Sequence, residues 1–136
     1  MGKTRIFGKQ DSASKIKTIA LATTITDLDS AKVLILNAAA GKVVTLPSVA
    51  VAGFKLKVIV GAAFATTNFT VVAPTAKIQG GAIVNSVFVP AVDENTISFV
   101  ASAETVGDYI EIVSDGTNFY ATGVGALAGS ITFTAV

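Results

Sequence analysis

The chain has 136 residues, 51% of them hydrophobic and only 14% charged, with a formal net charge of +1. That length makes one domain able to bury roughly two thirds of its unfolded surface, and that composition excludes a disordered tail. Cysteine and histidine are both absent, which excludes disulfides, thiol nucleophiles, imidazole bases and the ordinary zinc and copper sites.

Charge is unevenly placed. Residues 1–17 carry Lys3, Arg5, Lys9, Lys15 and Lys17 against Asp11 alone, whereas residues 78–136 hold Asp93, Glu94, Glu104, Asp108, Glu111 and Asp115 and no Lys or Arg. Residues 1–17 have neither a helical nor a strand period, so they read as a basic, extended N-terminal arm ahead of a single domain over 18–136. Ile6 and Phe7 are its large apolar pair and would seat it in a groove, while its cations meet an acidic surface. A body with so few charges exposes apolar patches, which mark interfaces, so an oligomer or an assembly subunit is expected.

Taken in order, residues 18–26 partly alternate apolar and polar and predict a strand. Residues 26–30 (TDLDS) predict a turn, or one helical turn capped by Thr26 or Asp27. Short strands follow over 32–37, 42–46 and 54–61; in the last, Phe54, Leu56 and Val58 point inward and Lys55 and Lys57 outward. Another covers 69–73 and stops at Pro74. Gly80-Gly81 marks a turn or a bulge within 77–84, residues 87–89 end at Pro90, and 96–101 alternates again with Ile97 and Phe99 on one face.

Residues 107–123 hold the strongest local signal. Asp115-Gly116 suits a two-residue type I′ turn between two runs rich in β-branched and aromatic residues. That turn pairs Ser114 with Thr117, Ile112 with Phe119 and Ile110 with Ala121, and it puts Ile110, Ile112, Phe119 and Ala121 on the core face. Residues 123–129 read as a flexible loop and 130–136 as a closing strand with Ile131 and Phe133 inward. About ten short strands without a helix-length amphipathic pattern predict an all-β fold. The expected form is an antiparallel β-sandwich or barrel, jelly-roll-like, with the N-terminal arm extended from it.

Chemistry-bearing patterns are weak. Gly123-Val124-Gly125 lacks the third glycine and the helix of a dinucleotide site. Asp27 and Asp29 lack the glycine-centred loop and distal Glu of an EF-hand. Asp93-Glu94 sits at a predicted turn, where solvated acids are ordinary. No catalytic, cofactor-binding or metal-ligating residue is assigned, and an enzyme is not expected. The acidic C-terminal half repels phosphates, so nucleic acid is not an expected partner. No apolar run approaches the roughly 20 residues of a spanning helix, and a membrane is not expected either.

Five stretches carry a resemblance: residues 29–37 (DSAKVLILN), 41–47 (GKVVTLP), 53–60 (GFKLKVIV), 78–80 (IQG) and 107–120 (GDYIEIVSDGTNFY). Their order of turns and strands over about residues 25–125 resembles the capsid decoration (cement) proteins and related small virion β-domains of tailed bacteriophages. Family members often have Trp where this chain has Phe119, and residues 1–17 lie outside the resemblance. It implies an all-β protein made in the host cytoplasm and carried on the outer capsid surface of the virion. It further implies a homotrimer that clamps major capsid protein subunits. In this chain the capsid contact is expected in the arm, at Lys3, Arg5, Ile6, Phe7, Lys9, Lys15 and Lys17. A second expectation is a tail- or fibre-associated receptor- or glycan-binding domain, with Tyr109 and Tyr120 exposed in a groove.

Overall fold

A computed structural model describes residues 15–48 and 50–136. Among them are twelve strands, named here in chain order: β1 (Ile16–Ile19), β2 (Thr23–Thr24), β3 (Val33–Leu36), β4 (Val43–Thr45), β5 (Lys55–Val60), β6 (Phe69–Val72), β7 (Lys77–Val84), β8 (Val87–Glu94), β9 (Thr96–Phe99), β10 (Tyr109–Ser114), β11 (Asn118–Gly125) and β12 (Ile131–Thr134). They form a seven-stranded sheet in the order β1-β3-β5-β10-β11-β7-β8 and a five-stranded sheet in the order β12-β9-β6-β4-β2. The all-β, sandwich-like class matches the sequence reading. The sheets do not close into a barrel.

Both sheets are mixed, where antiparallel pairing was expected. From β1 to β6 the chain alternates between the sheets, one strand in each. Each return therefore lies parallel to the strand two before it, as in β1 with β3, β3 with β5, β2 with β4 and β4 with β6. Parallel neighbours need a long crossover, and here the crossover is a strand of the opposite layer. The second half is built from hairpins, β7 with β8 and β10 with β11, and these pair antiparallel.

The core fills the space between the layers. Alternation places Leu34, Leu36, Leu56, Val58, Val60, Ile110 and Ile112 inward from the larger sheet, and Val44, Phe69, Val71, Ile97 and Phe99 inward from the smaller one. Two aromatic pairs lock it edge to face: Phe54 with Phe119 at 6.1 Å between centroids, and Phe64 with Phe69 at 5.0 Å.

Several local expectations shift. The hairpin of residues 107–123 has Ile110, Ile112, Phe119 and Ala121 buried as expected, but its register is two residues longer. Ser114 pairs with Phe119, Ile112 with Ala121 and Ile110 with Gly123. The reason is Asp115, whose Oδ1 accepts the backbone N–H groups of Thr117 and Asn118, each at 2.8 Å. This Asx-type closure spans more chain than a two-residue turn. A slip of two preserves every face, because side chains repeat every second residue. The tight turn with two positive φ values stands instead at Asn85-Ser86, between β7 and β8.

Gly80-Gly81 is neither the turn nor the bulge itself: both glycines lie within β7, paired with Ala91 and Pro90, and the irregularity is next to them, where Val92 and Asp93 of β8 oppose Gln79. Pro90 does not end its strand; β8 runs through it, as an edge strand can, because no neighbour needs the missing N–H. Residues 123–125 are strand, not loop: Val124 pairs with Tyr109 on one side and with Ile83 on the other. The segment 18–26 is two short strands broken at residues 20–22, the first starting at Ile16. The turn at Asp27–Asp29 is a single 3-10 turn after Thr26, whose N–H is bound by the Asp29 carboxylate at 3.0 Å.

Candidate functional site

Of the expected arm contacts, Lys3, Arg5, Ile6, Phe7 and Lys9 lie outside the described residues. Lys15 is exposed just before β1. Lys17 belongs to β1 itself, half-buried, and donates to Asp29 Oδ1 at 3.5 Å, where Lys32 also donates at 2.9 Å. Asp29 is buried, and burial alone would raise its pKa. The Thr26 N–H and the two lysines outweigh that and hold it below the ordinary carboxylate value. Lys17 is therefore engaged within the fold, closing the start of β1 onto the turn at residues 27–29.

Among the described residues, the outer face of the seven-stranded sheet carries exposed apolar side chains. In β10, Ile110, Ile112 and Ser114 are buried, so Tyr109, Glu111 and Val113 face out. Following the registers from β1 to β8, one row crosses the whole face: Thr18, Ile35, Ile59, Tyr109, Val124, Ile83 and Phe88. Beyond Thr18 every member is apolar or aromatic. Phe88, Ile83 and Val124 are 57%, 44% and 43% exposed, so this part of the row lies open to solvent. Water-facing positions of a sheet are ordinarily polar, so a continuous apolar row there makes this face the candidate contact surface.

Two further rows run beside it. The second holds Ile16, Val33, Lys57, Glu111 and Thr122; the third holds Lys55, Val113, Tyr120 and Gln79. Lys57 stands 3.9 Å from Glu111 and 4.6 Å from the centroid of the Tyr109 ring, so it bridges the first two rows. The face carries charges of both signs. Its cations are Lys55 and Lys57 on β5 and Lys77 at the start of β7. Its anions are Glu111 on β10, Asp115 at the hairpin end and Asp93 on β8, where Asp93 is bonded to Gln79.

Tyr109 and Tyr120 both lie on this face, but in different rows, and they do not flank one groove. The Tyr120 hydroxyl donates to Asp115 Oδ2 at 2.9 Å. The N–H groups of Asn118 and Thr117, then that hydroxyl, keep the Asp115 carboxyl below its ordinary pKa.

The outer face of the five-stranded sheet differs in kind. Its registers give one row of Thr24, Thr45, Val72, Thr96 and Thr134 and another of Val43, Thr70, Ser98 and Thr132, rich in hydroxyls and without a charged side chain, with Thr96 and Ser98 buried. Among the described residues no group of three or more Asp and Glu is placed to hold a metal.

Sequence reading missed the apolar row because it takes one residue from each strand and exists only after pairing. A signal was present within the strands. Residues 33–36 and 58–60 are apolar at successive positions, which places apolar side chains on both faces.

The class defined by this geometry is a two-sheet, all-β domain with an exposed apolar row on one face. Comparison with protein-family models, with curated proteins and with solved structures found no match.

Proposed function

We propose that the chain is a structural virion protein that decorates the outer surface of a bacteriophage capsid and stabilises it by binding major capsid protein subunits. The observation that carries the reading is the apolar row across the seven-stranded sheet, together with where the basic segment joins it. β1, an edge strand of that same sheet, is the first described strand, and the sequence ahead of it holds Lys3, Arg5 and Lys9. A broad contact face with a cationic tether at its margin suits a protein that binds an acidic protein shell through many weak contacts. The resemblance of residues 25–125 to decoration proteins supports the same reading. The glycan-binding alternative has less support, since Tyr109 sits beneath Lys57 and Tyr120 is tied to Asp115.

The test is capsid survival. Particles stripped of the protein and particles carrying it are heated or transferred to low salt, and rupture is counted by negative-stain imaging. Decorated particles are expected to survive to higher temperature, and equal rupture in both removes the cementing role. A chain lacking residues 1–14 keeps β1 whole; full decoration by it would take the tether out of the mechanism.

A further inference from the structure

We infer that the outer face of the seven-stranded sheet packs against the same face of a second copy of this chain, about a two-fold axis running along β10. β10 is the middle strand of the seven. Rotation by a half turn about a line parallel to it keeps each residue's height along the strands and exchanges the flanks. β5 then lies over β11, β3 over β7 and β1 over β8.

The apolar row falls on itself. Ile59 meets Val124, Ile35 meets Ile83, Thr18 meets Phe88, and the two Tyr109 rings lie beside the axis. The same operation makes the charges complementary. Lys55 of one copy lies over Tyr120 and its acceptor Asp115 in the other, and the β1 edge with Lys15 lies over the β8 edge with Asp93. Rotation about the in-plane line at right angles to β10, along the apolar row, would instead set β5 on β5 with heights reversed and carry Lys55 away from the partner's Tyr120 and Asp115. Glu111 lies near the axis and meets its copy there, and the Lys57 beside each Glu111 supplies the counter-charge.

The size is adequate. Six inter-strand spacings of about 4.8 Å give a width of about 29 Å, and four to six residues give a height of about 13–20 Å. The projected area is roughly 400–600 Å² per copy, so about 1,000 Å² over both, the size at which specific interfaces begin. Facing sheets pack well at a small inter-strand angle, as the two layers of a sandwich do. One self-complementary face closes a pair, whereas the trimer implied by the resemblance requires two different patches on each copy.

The pair covers, in the free chain, the face that the decoration reading gives to the capsid, so the two contacts exclude one another and capsid binding would separate the copies. The inference concerns the isolated chain and is tested without capsids, so its failure and that of the decoration reading are distinguishable. Sedimentation velocity of the purified full chain at micromolar concentration is expected to give a dimer. Val124→Arg is expected to weaken it roughly tenfold or more, and Lys55→Glu, an exposed replacement that leaves the core untouched, to weaken it as well. Thr70→Arg on the opposite sheet is expected to leave it intact. Circular dichroism melts of each variant confirm folding. A monomer, a trimer, or a dimer unmoved by both Val124→Arg and Lys55→Glu overturns the inference.

Discussion

The Phe88 ring stands over Gly81: a Cβ added to that glycine would lie 2.7 Å from the ring's Cζ. Gly81 also has φ +145, which side chains rarely adopt, and an added Cβ would crowd the Val89 carbonyl oxygen as well. The bare backbone there leaves room for the ring of Phe88, an exposed side chain at the end of the apolar row.

Gly81→Ala is therefore expected to destabilise the fold by more than about 1 kcal/mol, since it adds a steric conflict to an unfavourable backbone conformation. Urea unfolding of the variant measures this as a lowered midpoint with an unchanged slope. An unchanged midpoint would show that Phe88 and β8 move aside at little cost.

Asp29 predicts a pH dependence. Its carboxyl is held below the ordinary carboxylate pKa despite burial, by the Thr26 N–H, Lys32 and Lys17. A depressed folded pKa stabilises above the unfolded value of about 3.9, and that stability is lost as pH falls through the folded value. Asp29→Ala is expected to cost about 1–3 kcal/mol at pH 7 by leaving the Thr26 N–H and two lysines without their acceptor. The gap from the parent chain should narrow toward pH 3. A gap that stays constant from pH 7 to pH 3 would show that the carboxylate charge is not what matters.

Asp115 shapes the loop between β10 and β11 by accepting from Asn118, Thr117 and Tyr120. Asp115→Ala is expected to lower the melting temperature, and Asp115→Asn, which keeps an acceptor for the backbone donors, to lower it less. Because the Asp115 pKa is depressed in the folded chain, the penalty is expected at neutral pH and should shrink below the ordinary carboxylate range. Melting curves at pH 7 and pH 3 check both the order and the sign.

Phe119 is fully buried, pairs with Phe54 and lies beside Ile78 of the parallel neighbour β7. Phe119→Ala is expected to cost about 3–5 kcal/mol through lost burial and the cavity left behind. Phe119→Leu, which refills part of that volume, is expected to cost less. Denaturant titration of the two variants ranks them, and equal costs would mean that the site collapses around either side chain.

Much of the strand content was legible because each cue is local. Phe54-Lys55-Leu56-Lys57-Val58 alternates, so its inward and outward sides follow from the order of residues alone. The buried faces of β10 and β11 were likewise readable before pairing was known, and they survived a register slip of two because the side-chain period is two. The lopsided charge was also plain, but the residues expected to contact a capsid fall mainly outside the described structure. Of the two that lie within it, Lys15 is exposed and Lys17 is engaged by Asp29.

By itself, then, the sequence determined that the chain forms short strands, which side chains of each strand face the core, and that the fold is all-β. Those properties depend on neighbours within a few residues. Tertiary structure alone decided the strand order, the parallel returns of β1, β3 and β5 across intervening strands of the other layer, and the apolar row from Ile35 to Phe88. Contacts of that kind join residues far apart in the chain. Alternation specifies a face but not a neighbour, so a surface made from one residue per strand comes into being only when the sheet does.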